Sequence, residues 1–174
     1  MGRRFHAAIA NLPRPAFIDE RSHRWAIGDR VAWDDETDEP YRHIPHVAEL
    51  RDRLRPIGGG GQAIHGDLTG NVLFDEQEPP AIIDLALYWR PAALATAIVV
   101  ADAIVWEGAT DELFHLGTRT EPDFGQLLAR ALIFRLVAAG LGGAEDRATM
   151  ADRYRHAVGL AIADDRHRID TASS

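Results

Sequence analysis

The sequence predicts an α+β fold that is mainly α, formed by one domain spanning residues 1–174. Three observations predict it. Apolar residues recur at helical spacing over most of the chain. Three short apolar runs rich in β-branched residues, Gln62–Ile64, Val72–Phe74 and Ala81–Ile83, lie close together in the middle. Helical segments alone follow them. With 46% hydrophobic residues and 174 positions, the chain is long and apolar enough to bury a core.

The first helix is expected over Gly2–Asn11, with Phe5, Ala8, Ile9 and Leu12 on one side, ended by Pro13 and Pro15. A short helix over Arg24–Trp33 carries Trp25, Ile27, Val31 and Trp33. Asp34 to Glu39 holds five acids in six residues. This reads as a solvated loop, with recognition of a cationic substrate as the alternative. A helix over Pro45–Leu54 follows, with Pro45 suited to its first turn. His43 and His46 sit three apart beside prolines, where a metal pair is the alternative to an ordinary structural role. Gly58–Gly61 lacks the lysine and hydroxyl residue of a phosphate loop and reads as a connector.

After the three strands, with Asp75–Pro80 as the hairpin loop between the second and third, Pro91–Trp106 is nearly all apolar and reads as the central buried helix. Thr110–Leu116 is a short helix. Pro122–Ala139 reads as amphipathic, stopped by Gly140, Gly142 and Gly143. Ala144–Ala163 is the last helix, and the tail to Ser174 is expected to fray. Asp102, inside an apolar helix, is expected to pair with an arginine or cap backbone near the motif strands. Tyr88, Trp89 and Trp106 read as core, with a pocket lining as the alternative.

Composition excludes several functions. There is no cysteine, so no disulfide and no thiolate–metal site. The net charge of −8 disfavours nucleic acid, which needs a basic face, and is compatible with a cationic small molecule. No signal peptide or membrane span is read, and a cytoplasmic location is expected.

The stretch that carries chemistry is Ala63-Ile64-His65-Gly66-Asp67-Leu68-Thr69-Gly70-Asn71-Val72-Leu73-Phe74, followed by Ala81-Ile82-Ile83-Asp84. An Asp can accept the proton of an attacking hydroxyl. An Asn and a second Asp can hold Mg²⁺ through oxygen, a donor set unsuited to zinc. The pattern resembles the H-G-D…N…I-D signature of the aminoglycoside phosphotransferase and choline kinase group, small-molecule kinases of protein-kinase-like fold. The run Tyr88-Trp89-Arg90-Pro91 adds a likeness to uncharacterised actinobacterial phosphotransferase-like proteins that also read H-G-D-L-T-G-N-V-L. The resemblance follows the order of elements over nearly the whole chain and is strong in residues from Ile64 to Asp84.

The resemblance implies the C-terminal lobe of a kinase-like fold, with a β-hairpin carrying the motif. It implies ATP and Mg²⁺ as cofactors and a small-molecule hydroxyl as substrate. It makes Asp67 the catalytic base, Asn71 and Asp84 the magnesium ligands, Leu73 the residue under the adenine, and His65 a brace for the catalytic loop. One departure is the spacing. Asp67 and Asn71 are four apart, where the family usually has five, and Gly70 lets the backbone tighten.

All 19 basic residues are arginine. A kinase-like site draws on a lysine and a glycine-rich hairpin from an N-terminal lobe, and neither can be drawn from this sequence. The uncapped start at Met1 makes a fragment of a longer phosphotransferase the leading expectation. A stand-alone lobe, or a lid from a partner chain, are the others. The chain alone is expected to bind nucleotide weakly and turn over little. Two functions follow: phosphoryl transfer carried by this lobe, or a non-catalytic kinase-like binding or assembly module. The face an N-lobe would cover is expected to be apolar and to form a homodimer.

Overall fold

The computed structural model describes residues 1–143 and 145–172, with side chains to Asp165. It is α+β and mainly helical: α1 Gly2–Ala8, α2 Phe17–Glu20, α3 Arg24–Ala32, α4 Val47–Arg51, β1 Gln62–His65, β2 Val72–Leu73, β3 Ala81–Ile82, β4 Leu87–Arg90, α5 Ala92–Trp106, α6 Glu112–Thr120, α7 Phe124–Gly142 and α8 Arg147–Ala172.

The centre is α7. Every residue from Phe124 to Ala138 is buried, because α3, α4, α5 and α8 all pack on it. The expected amphipathic helix is therefore buried on all sides, and it shares the central place with α5. It is also the one helix among the described residues long and apolar enough to cross a membrane, but 83% of that window is buried inside the fold. Gly28 sets how closely α3 approaches: a Cβ there would lie 2.5 Å from the Phe134 carbonyl oxygen. Gly143, at φ 63°, ends α7 in the left-handed conformation.

The sheet differs from expectation. β1 pairs antiparallel with β4, Gln62 opposite Arg90 through His65 opposite Leu87. β4 was not expected. Leu87-Tyr88-Trp89-Arg90 is aromatic and apolar enough for a strand, but four residues before a proline show no clear period. β2 and β3 form the expected hairpin around Asp75–Pro80, Val72 opposite Ile82 and Leu73 opposite Ala81.

Several helix bounds also move. α1 stops at Ala8. α2 was not expected. α4 begins at Val47, behind His46 in the left-handed region at φ 64°, so Pro45 is not in its first turn. α6 runs on to Thr120. α8 continues to Ala172, past the expected end at Ala163 and through most of the tail expected to fray. Ala144, the expected first residue of that helix, lies outside the described residues, as do Ser173 and Ser174.

The acidic loop is not a free anionic surface. Asp34 pairs with Arg51. Asp35 meets Arg90 at 2.7 Å, Glu36 meets Arg30 at 2.8 Å, and Asp38 meets Arg42 at 2.6 Å. The arginines also close α3: Arg51 Nη1 donates to the Val31 carbonyl and Arg130 Nη1 to that of Ala32. These are carbonyls at a helix end, which need partners. The acids therefore serve the fold as counter-ions, and the cationic-substrate reading loses four of its five carboxylates.

Candidate active site

The motif sits where β1 runs out of the core. Ala63, Ile64 and His65 are buried, and Asp67 emerges with its side chain about half exposed, 48%. The His65 ring lies wholly inside. Its Nδ1 accepts the Asp67 backbone N–H at 3.0 Å, which leaves Nε2 to donate to the Ile83 carbonyl at 3.3 Å. One imidazole thus ties the turn after β1 to the residue before Asp84. The His65 backbone N–H donates in turn to Nε2 of His6, at 3.1 Å, so α1 buttresses the same turn. Burial, and then the neighbouring His65, lower the His6 pKa and favour the neutral ring that this acceptor role needs.

Gly66 is required by a neighbour. A Cβ there would lie 2.5 and 2.6 Å from two ring carbons of Tyr88, the residue opposite Ile64. Tyr88 is 4% exposed and packs edge-on against Phe134. It is both core and pocket lining. Trp106 is neither: it is 51% exposed, beside Tyr154 and under Arg153.

The short spacing from Asp67 to Asn71 is taken up by a tight turn. The Asn71 N–H donates to the Leu68 carbonyl at 3.0 Å, with Gly70 at φ 79°. The turn swings the Asn71 side chain back over Asp67. Its Nδ2 donates to the Asp67 carbonyl at 2.7 Å and faces Asp67 Oδ2 at 3.4 Å. With Nδ2 so used, Oδ1 is the atom left to accept a cation.

Asp84 follows the hairpin. The Ile83 N–H donates to the Asn71 carbonyl at 3.1 Å, which extends the β2–β3 ladder and sets Asp84 across from Gly70. Asp84 is exposed, with φ 47°. Asp tolerates that region better than most residues, and such backbone concentrates at functional positions. Asn71 lies just before β2 and Asp84 two residues after β3, so two hard oxygen donors, Asn71 Oδ1 and the Asp84 carboxylate, flank the open end of the hairpin. That set fits Mg²⁺, which is commonly held by one or two protein groups with waters and phosphate oxygens. Among the described residues there is no group of three or more His, Cys, Asp or Glu that could hold a metal. His43 is exposed, and His46 Nε2 is engaged with the Ala151 carbonyl at 2.8 Å.

The residue that sequence reasoning missed is Arg135. It comes from α7, almost entirely buried, and donates Nε and Nη2 to the two oxygens of Asp102 at 2.8 and 2.6 Å. Nη2 also reaches Asp67 Oδ1 at 3.0 Å. Burial opposes its charge, but the hydrogen bonds and charge of Asp102 outweigh that, and its pKa is raised. Asp102 does pair with an arginine, and through it with the motif. Asp67 is thus held from two sides, Oδ1 by Arg135 and Oδ2 by Asn71.

Beside Asp67 opens a cleft of about 360 Å³, lined by Arg21, His23, Trp25, Tyr88, Arg135 and the Leu85–Leu87 segment among others. On the hairpin, Leu73 is 54% and Phe74 75% exposed, with Ile83 and Leu85 also open to solvent. No protein-family model matches this chain, and neither the curated proteins nor the solved structures gave a match.

Proposed function

We propose that this chain is a kinase-like C-terminal lobe that supports phosphoryl transfer from ATP to the hydroxyl of a small molecule. One observation carries the reading. Asp67, fixed between Arg135 and Asn71, lines a cleft, and Asn71, one of its two holders, keeps a hard oxygen donor free.

In this reading Asp67 receives the substrate hydroxyl from the cleft. As the hydroxyl oxygen bonds to the γ-phosphorus, its proton passes to the Asp67 carboxylate and the nucleoside diphosphate leaves. Asn71 and Asp84 would hold Mg²⁺, which when bound would offset the negative charge of the phosphates. His65 keeps Asp67 and Ile83 in register by its two ring nitrogens. Arg135 and Asn71 hold the carboxylate in one rotamer, so little reorganisation is left for the reacting complex. Leu73, exposed beside Asn71, is the surface for the adenine. With no lysine in the sequence, nucleotide affinity is weak unless a second lobe or chain supplies a cation.

Mn²⁺ takes the same oxygen ligands and broadens nearby NMR signals. Titrated with ATP into the ¹⁵N-labelled chain, it should broaden the amides of 70–73 and 83–85 and the Asn71 side-chain amide, and Asp84→Asn should remove the effect. Broadening confined to other carboxylates would overturn the reading. The exposed apolar hairpin favours a second reading, a non-catalytic module that binds a partner through this face. That reading gains if metal fails to reach Asn71.

A further inference from the structure

The cleft beside Asp67 carries a charge of its own. Arg21, at the end of α2, makes no ion pair among the described residues. Its guanidinium donates once, from Nη1 to the Leu87 carbonyl at 2.7 Å. Its Nε is buried with no acceptor. The group sits over the Tyr88 ring at 4.7 Å and near that of Phe17 at 6.0 Å. The contrast with the acidic loop, where four carboxylates each hold an arginine, is plain.

Two more donors line the same space. The Tyr88 hydroxyl makes no hydrogen bond among the described residues, although the side chain is 4% exposed. Burial pushes its pKa up to about 12, so it stays a donor. His23 accepts the Ala26 N–H on Nδ1 at 3.2 Å, which leaves Nε2 as the N–H. Burial, then Arg21 and Arg30, lower its pKa, so the ring is neutral at pH 7. Phe17, Trp25, Leu85 and Leu87 make the remaining walls apolar. At the roughly 30 Å³ that each water takes in the liquid, the cleft holds about a dozen non-hydrogen atoms.

We propose that the acceptor this cleft takes is a hydroxy acid: a hydroxyl toward Asp67, a carboxylate on Arg21 with the Tyr88 and His23 donors, and a ring-sized apolar body against the Phe17, Trp25, Leu85 and Leu87 walls. The inference rests on the phosphotransfer reading only in taking Asp67 as the group that meets the hydroxyl. It reverses the expectation of a cationic substrate, because an ammonium group here would face Arg21 and Arg135 while the acids of the 34–39 segment are already paired.

Three probes of one body and different charge test it: 3-phenyllactate, 3-phenylpropane-1,2-diol and phenylalaninol. Binding is measured by calorimetry on the full chain without nucleotide. The anion should bind tightest and the cation weakest, about tenfold apart, the worth of one charge-assisted hydrogen bond. Arg21→Met should abolish the order and Arg21→Lys should keep it. The order is read on the unaltered chain, so a variant that fails to fold leaves the test standing. A cation-first order, equal affinities, or no binding of any probe overturns the inference. If the anion binds first while Mn²⁺ with ATP broadens only carboxylates away from Asn71 and Asp84, the phosphotransfer reading falls and this one stands.

Discussion

Replacing Arg135 with methionine asks whether the cluster under the turn that carries Asp67 is one coupled unit. Arg135 and Asp102 are each 7% exposed, and the guanidinium spans both carboxylate oxygens. Methionine keeps much of the aliphatic stem and removes the charge. Asp102 then stays buried between α5 and α7 with its partner gone. Breaking a buried pair from one side costs about 3–5 kcal/mol, whereas replacing both members by apolar groups of similar volume is often neutral. The second contact, to the half-exposed Asp67, adds less than about 1 kcal/mol because solvent screens it. Arg135→Met should therefore lower the unfolding free energy by about 3–5 kcal/mol, and Arg135→Met with Asp102→Leu should recover most of it. Urea denaturation at pH 7, followed by circular dichroism and by tryptophan fluorescence, measures both; Trp25 lies 5.4 Å from the guanidinium and reports locally. A single substitution costing under about 1 kcal/mol, or a double variant as weak as the single, would refute the view that Asp102 depends on Arg135.

Three further outcomes are expected. Gly66→Ala should cost about 1–3 kcal/mol through overlap with Tyr88, seen as a lower melting temperature; an unchanged melt would mean the ring can yield. Acid should destabilise the fold through His6. Its folded pKa lies below the ordinary 6.5, so under that pH the unfolded chain takes up a proton that the folded one does not, and stability falls. Denaturation at pH 7.5 and 5.5 should show this loss, reduced in His6→Gln; equal loss in the variant would assign it elsewhere. The hairpin face should drive self-association, since each 100 Å² of apolar area re-buried is worth about 2.5 kcal/mol before association costs. Light scattering should rise with concentration and Phe74→Ser should suppress it, while a wild-type monomer throughout would end the dimer expectation.

The helices were legible where one pattern dominated. α3 and α5 fall within a residue or two of their expected limits because apolar positions mark both, and Pro91 and Gly108 flank α5. α7 was found, but its surroundings were not. Its mixture of apolar and polar positions reads as two faces, and only tertiary packing shows that both are covered. The hairpin was legible because Asp75–Pro80 is turn-forming and both flanks are apolar. β4 was not, since a four-residue strand beside a proline gains its order from pairing with β1 rather than from its own pattern. The acidic loop misled for a similar reason. Its charge is obvious in sequence, while the arginines that neutralise it come from four different segments: Arg30, Arg42, Arg51 and Arg90.

The site divides the same way. Everything local could be anticipated: the His65 backbone bonds, the tightening at Gly70, the juxtaposition of Asn71 with the strand before Asp84. Everything that reaches Asp67 from a distance could not, and that includes Arg135 and His6. A signal for Arg135 was nevertheless present. An apolar helix that carries Asp102 must either expose the carboxylate or bury it with a counter-charge. Pro122–Ala139 contains Arg130 and Arg135 among residues that are otherwise almost all apolar, and a guanidinium there faces the same choice. Two helices, each with an unexplained charge of opposite sign, are economically explained by each other. Arg130 solves its own problem with carbonyls, those of Ala32 and Arg55, which leaves Arg135 for Asp102. Reading buried charges as pairs across helices narrows the partner of Asp102 to Arg130 or Arg135, the structure selects Arg135, and this pairing is why its loss should be felt in the fold as strongly as at Asp67.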